Sequence, residues 1–168
     1  CIAVTTIALC QVSVGTPYCP GDGTGAPCPC GNTSGLGFGC ANSTGLGAGL
    51  SATGVASVSA DTVVLGCGGM ANGPGLCFQG TTAVNGGLGV AFGDGLRCAG
   101  GRVVRLGIVN SALGNSFFPQ LGGSPLSTVG GVAPGDVRRY QVWYRDSSVF
   151  CTSATFNLSN GLELTWGA

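Results

Sequence analysis

Ten cysteines, none of them spaced as CxxC, constrain this chain more than any other feature. Zinc sites and thiol-exchange sites draw on that short spacing, so neither a metal centre nor redox chemistry is expected. An even, high count without it reads as a disulfide framework made in an oxidising compartment, and so as a secreted protein, extracellular or at the cell surface. Cross-links matter here because 34 Gly and 8 Pro leave a chain that loses much backbone entropy on folding. A bridge closing a loop of about 15 residues offsets roughly 3 kcal/mol of that loss. Val, Ile, Leu and Phe make up a quarter of the 168 residues, enough for the core of one domain.

The pairing is only partly legible. Cys1, Cys10, Cys19 and Cys28 recur every nine residues. In an extended segment Cys1 and Cys10 stand about 30 Å apart, against a Cα limit of about 7 Å for a bridge. Either that segment loops so that they bond, or they reach other parts of an assembly, or Cys1 carries a lipid. Cys28 and Cys30 flank one proline and are expected to pair with Cys19 and Cys40, in an order left open. Cys67 and Cys77 bracket the turn GGMANGPGL and are expected to bond. Cys98 and Cys151, each just ahead of a late strand, are expected to staple the end of the chain.

Strand periodicity is clearest at residues 137–145. Tyr140, Val142 and Tyr144 share one face, and Arg139, Gln141, Trp143 and Arg145 the other. Residues 154–166 carry Asn160-Gly161, a strong hairpin signal. A two-residue loop would set the apolar residues of its two strands on opposite faces. A three-residue loop pairs Leu158 with Leu162 and Phe156 with Leu164, leaves Asn157, Ser159, Glu163 and Thr165 facing water, and puts Gly161 in the left-handed region. That is the expected closing hairpin. Alternation also marks residues 50–65 and 102–109, and residues 76–80 read as a short strand. Asn32-Thr-Ser-Gly-Leu-Gly is echoed at Asn42-Ser-Thr-Gly-Leu-Gly, which predicts two similar turns and not a solenoid. Strands and turns about ten residues apart, with no helical period, predict an all-β fold: a disulfide-cross-linked β-sandwich, Ig-like or jelly-roll-like, over residues 19–168.

Residues 1–18 form an uncharged arm. Ile2, Val4, Ile7, Leu9, Val12 and Val14 make it apolar on both faces, and such a strand wants cover on both. It is read either as the first strand of its own sheet or as a strand added to a neighbouring copy. No basic segment precedes Ile2, the expectation being that an export signal has been removed.

Charge and composition exclude several functions. Only 7% of residues are charged and the net charge is zero, which offers nucleic acid no basic stripe. No 20-residue apolar run exists to span a membrane. Histidine is absent, ruling out Ser-His-Asp and Cys-His catalysis. Asp22 and Asp94, each in a GDG tripeptide, read as turn residues, and no spacing singles out a glycosidase pair among the six acids. No catalytic residue, metal or cofactor is expected. Trp143 and Arg145 make a candidate platform for a glycan, set against ordinary stacking of the guanidinium on the indole. Asn32, Asn42 and Asn157 head N-x-Ser/Thr triplets.

The stretches GDGTGAPCPCGN, GCANSTGLGAGLSATG, FQGTTAVNGGLGVAFGDGLRCAGG, RRYQVWYRD and FNLSNGLELTW carry a resemblance. From Cys19 onward the chain resembles a group of secreted Gly- and Cys-rich bacterial proteins of uncharacterised function. The resemblance implies export and a β-rich body and says little about activity. The arm resembles the donor strands of pilus subunits. Together these readings give a structural subunit of an extracellular filament or surface assembly, partnered by copies of itself through the arm. Its alternative is a secreted carbohydrate-binding or adhesion module.

Overall fold

The computed structural model describes residues 13–168. Cys1 and Cys10, and Ile2, Val4, Ile7, Leu9 and Val12 of the arm, lie outside the described residues. Thirteen strands run β1 (Thr16–Tyr18), β2 (Gly49–Thr53), β3 (Val64–Gly68), β4 (Gly73–Gly80), β5 (Thr82–Ala83), β6 (Val90–Phe92), β7 (Gly95–Arg97), β8 (Ala99–Gly100), β9 (Val104–Ser111), β10 (Ser116–Phe118), β11 (Val137–Arg145), β12 (Phe156–Leu158) and β13 (Gly161–Thr165). A short 3-10 helix (Val84–Gly87) joins β5 to β6, and one short α-helix, α1 (Leu126–Gly130), precedes β11. The main sheet has the order β1-β13-β11-β4-β9, with β12 also on β11, and a second sheet has the order β10-β3-β2. Every pairing between these strands is antiparallel. The protein is an all-β, disulfide-stapled sandwich, as its alternation predicts.

The main core lies between the two sheets. Leu50, Ala52, Leu65 and Cys67 meet Cys77, Val109, Tyr140, Val142, Tyr144, Leu162, Leu164 and Trp166 across it. β11 buries the three side chains that its alternation assigns to one face. The buried hydroxyls are satisfied: Tyr140 accepts from Trp166 Nε1 at 3.0 Å, and Tyr144 accepts from Asn42 Nδ2 at 3.0 Å. The described end of the arm packs onto its own fold. Ser13 bridges Thr53, the Val14 amide donates to the Ala52 carbonyl at 2.9 Å, and β1 pairs with β13.

The expected closing hairpin is not there. β12 and β13 do not pair with each other; they follow one another along the same edge of β11. Leu158 stands opposite Trp143 and Leu162 opposite Tyr140. Between those pairs, Ser159, Asn160 and Gly161 face only Gln141 and Val142, which makes a β-bulge. The extra residue flips the side-chain parity. Leu158 therefore packs with Phe78 and Ala99 on the outer face of the sheet, while Leu162 and Leu164 enter the main core. Apolar residues on opposite faces looked wrong in the sequence because one face was taken to be wet. In fact both faces of this sheet are covered. Gly161 does not have a positive φ; it is glycine because a Cβ would stand under 3 Å from the Tyr18 ring. Asn157 and Ser159 are buried instead of facing water.

The cover on the outer face is the segment between β4 and β9. Its two ribbons, β5–β8 and β6–β7, lie over β11 and β12. Gln141 pins them. Its Oε1 accepts from the Cys98 and Ala99 amides at 2.9 and 3.3 Å, and its Nε2 donates to the Leu96 and Ser159 carbonyls at 2.8 and 2.7 Å.

Three disulfides are present among the described residues: Cys19–Cys98, Cys28–Cys40 and Cys30–Cys151. Cys28 and Cys40 pair within the local knot as expected. Cys19 and Cys30 instead reach Cys98 and Cys151, so the knot is tied to the outer cover and to the loop before β12. Cys67 and Cys77 are not bonded; both are buried thiols. They stand on β3 and β4, in the two facing sheets, and both enter the main core.

Candidate functional site

The outward-facing residues of β11 divide by role. Arg139 is structural: it meets Glu163 at 2.8 Å and donates to the Thr81 carbonyl at 2.8 Å. Gln141 is fully committed to the cover. Trp143 and Arg145, further along, border open surface. The Arg145 guanidinium lies 5.6 Å from the Trp143 ring centroid, the cation–π arrangement weighed against a ligand platform, and it donates to Thr155 Oγ1 at 3.0 Å.

Trp143 begins an aromatic row. Its ring lies 5.5 Å from that of Phe156, which lies 5.0 Å from that of Phe92 on β6. Phe92 is placed by the turn at Gly93, whose φ of 62° favours glycine. A Cβ at Gly93 would also stand under 3 Å from the Phe156 ring.

Between this row and β9 runs a groove of about 380 Å³. Its floor is Leu76, Phe78, Trp143 and Leu158 on the main sheet, and its rims are Phe92 and Arg97 on one side and Val103 and Arg105 on the other. That size and apolar lining, with few polar groups, match a small-ligand site. Phe92 remains 44% exposed, so part of the row is open to a partner. A larger hollow of about 660 Å³ between β3 and residues 119–125 is walled mainly by turns. Its one charged lining group, Asp61, is already bonded to the Val63 and Ser127 amides.

The charge of the groove is one-sided. Among the described residues the ion pairs are Arg138–Asp136 and Arg139–Glu163. Arg97, Arg105 and Arg145 have no carboxylate partner there. The acids are engaged elsewhere: Asp22 with Thr24, Asp94 with Thr152, and Asp146 with Ser43. No carboxylate lines the groove.

Of the pair singled out in the sequence, Trp143 lines the groove and Arg145 does not, being stacked on Trp143 instead; Phe92, Arg97 and Arg105 were not singled out. These three come from the cover and from β9, and nothing local in the sequence brings them to β11. The three Asn of the N-x-Ser/Thr triplets are bonded inward: Asn32 Nδ2 to the Ala41 and Asp94 carbonyls, Asn42 Nδ2 to Tyr144, and Asn157 Nδ2 to the Ala41 carbonyl.

Fold and site define a class: a disulfide-stapled β-sandwich with an aromatic and arginine groove on one sheet face. Comparison with family models, with curated proteins and with solved structures finds no match for the chain.

Proposed function

We propose that this is a secreted carbohydrate-binding module that holds a sugar chain in the outer-face groove. The observation that carries the reading is the groove itself, with Trp143 on its floor and half-exposed Phe92 on its rim. Aromatic faces pack against the apolar faces of sugar rings, and a sheet is a rigid platform for them. Three disulfides fit an oxidising compartment, which supports export. The test is retention on immobilised polysaccharides, comparing the protein with Trp143→Ala and Phe92→Ala. Each variant is expected to lose at least tenfold in affinity, about 1.4 kcal/mol, with its far-UV spectrum intact. Unchanged retention in both would defeat the reading.

Self-assembly is a second reading, favoured by β9. This eight-residue strand ends the main sheet, and its edge away from β4 finds no backbone partner among the described residues. Ile108 on it is 72% exposed. Such an edge is a template for strand addition. Residues 1–12, extended at about 3.3 Å each, have the length to cover it from a second copy. Sedimentation of the full chain beside one lacking residues 1–12 and beside Ile108→Lys tests this. Higher oligomers lost in both variants support it, and a monomer throughout overturns it.

A further inference from the structure

We infer that the groove selects acidic sugar chains, with Arg97 and Arg105 recognising a carboxylate or sulfate while Trp143 carries a ring. The inference rests on the carbohydrate reading above and narrows its ligand.

The two arginines come from separate elements, Arg97 from β7 and Arg105 from β9, yet both line one apolar groove. Neither has an acidic partner among the described residues; Arg97 Nε reaches only the Ala99 carbonyl, at 3.4 Å. In a chain with six Arg and six acids, two free cations beside one groove are not a result of overall charge. Of the other four arginines, Arg138 and Arg139 are matched by Asp136 and Glu163, while Arg102 and Arg145 also lack a carboxylate partner among the described residues but do not line the groove.

The geometry suits a saccharide. Arg105 is registered opposite Phe78 on β4, and Trp143 opposite Leu76 on the same strand. β9 and β11 flank β4, so their backbones lie about 10 Å apart at the usual strand spacing. That span matches one to two sugar units, with a ring on Trp143 and the acidic group of its neighbour at Arg105. A guanidinium presents paired N–H donors that fit a planar carboxylate or a sulfate. Low-dielectric groove walls strengthen the attraction over that of a fully hydrated pair.

A densely charged polyanion such as nucleic acid fits less well. Its affinity comes from many cations along an extended track, and this groove offers two among apolar residues.

The experiment measures binding by calorimetry at 50 and 500 mM NaCl to polygalacturonate (carboxylate), dextran sulfate (sulfate), neutral dextran and a single-stranded oligonucleotide. The proteins are the parent chain, Arg97→Gln/Arg105→Gln, Trp143→Ala, and Arg102→Gln, which removes one charge outside the groove. The expected result is at least tenfold preference for one or both acidic polysaccharides over dextran. That preference falls to under threefold in the double variant and at high salt and is unchanged in Arg102→Gln. Preference for polygalacturonate identifies the carboxylate, and preference for dextran sulfate the sulfate. Equal binding of acidic and neutral chains, with Trp143→Ala still weakening both, overturns this inference and leaves the carbohydrate reading standing. Failure to bind any polysaccharide overturns both. Oligonucleotide binding equal to that of the acidic chains, or an equal loss in Arg102→Gln, shows general attraction to polyanions and overturns the inference.

Discussion

At the scale of single residues, the bulge between β12 and β13 depends on Asn160. Its Oδ1 accepts from the Leu50 amide at 2.6 Å, and its Nδ2 donates to the Leu50 carbonyl at 3.2 Å. A side-chain amide thus stands in for a strand backbone and joins the main sheet to the edge of β2. Asn160→Ala leaves both Leu50 groups buried without partners, at about 1–3 kcal/mol each. The expected loss is about 2–4 kcal/mol in a denaturant titration with an unchanged m-value, where an exposed-turn Asn would give under about 0.5 kcal/mol. A loss that small would mean that water replaces the amide. Asn160-Gly161 misled the sequence reading because a hairpin and this bulge ask for the same two residues. What separates them is whether Asn160 meets solvent or another sheet, and that is decided by residues 110 positions away.

At the scale of elements, legibility followed the range of the interactions. β11 was readable because its alternation is local and its inner face meets a continuous core. β2, β4 and β9 were readable in outline for the same reason, whereas the single alternating run read over residues 50–65 breaks after Thr53 and resumes as β3 only at Val64. The cover was not, because β5 to β8 are two or three residues long and too short to show a period. Their positions come from Gln141 and from the Cys19–Cys98 bridge, both long-range. The groove shares that fate: its β11 half was visible and its cover half was not. The turn at Gly93 tests how far the cover shapes the site. Gly93→Ala adds strain at a positive φ, about 1 kcal/mol or more, and pushes a methyl group into the Phe156 ring. The expected outcome is a stability loss of about 1–3 kcal/mol together with weaker ligand retention, because Phe92 and Phe156 must move. Retention unchanged in a destabilised variant would separate the aromatic row from binding.

At the scale of the whole molecule, bridges and buried protons set the conditions under which the fold survives. The Cys30–Cys151 and Cys19–Cys98 bridges span 121 and 79 residues, and loops near 100 residues correspond to about 4.7 kcal/mol in the chain-entropy picture. Without histidine, little in the chain titrates between about pH 6 and 8, so stability is expected to be flat there. The alkaline side differs. Burial pushes the Cys77 thiol up to about 12 and the Cys67 thiol higher still, the latter helped by the neighbouring Cys77 charge. Burial likewise raises Tyr140 and Tyr144, against the lowering effect of their hydrogen bonds from Trp166 and Asn42. All four hold their protons in the folded state above the values at which the unfolded chain releases them, about 8.5 for Cys and 10 for Tyr. Their contribution is therefore complete below about pH 8 and is lost as pH rises toward the folded values. Above about pH 9 the two thiols together subtract about 3 kcal/mol per pH unit, a large share of a typical 5–15 kcal/mol. Denaturant midpoints from pH 6 to 10 should stay level and then fall, and the fall between pH 8.5 and 10 should largely vanish in Cys67→Ala/Cys77→Ala. Alkylation mapped by mass spectrometry should leave both thiols unmodified in the native protein and label them on unfolding. Native labelling of either one at pH 8, or an identical alkaline slope in the double variant, would mean that these thiols are not held in a dry core.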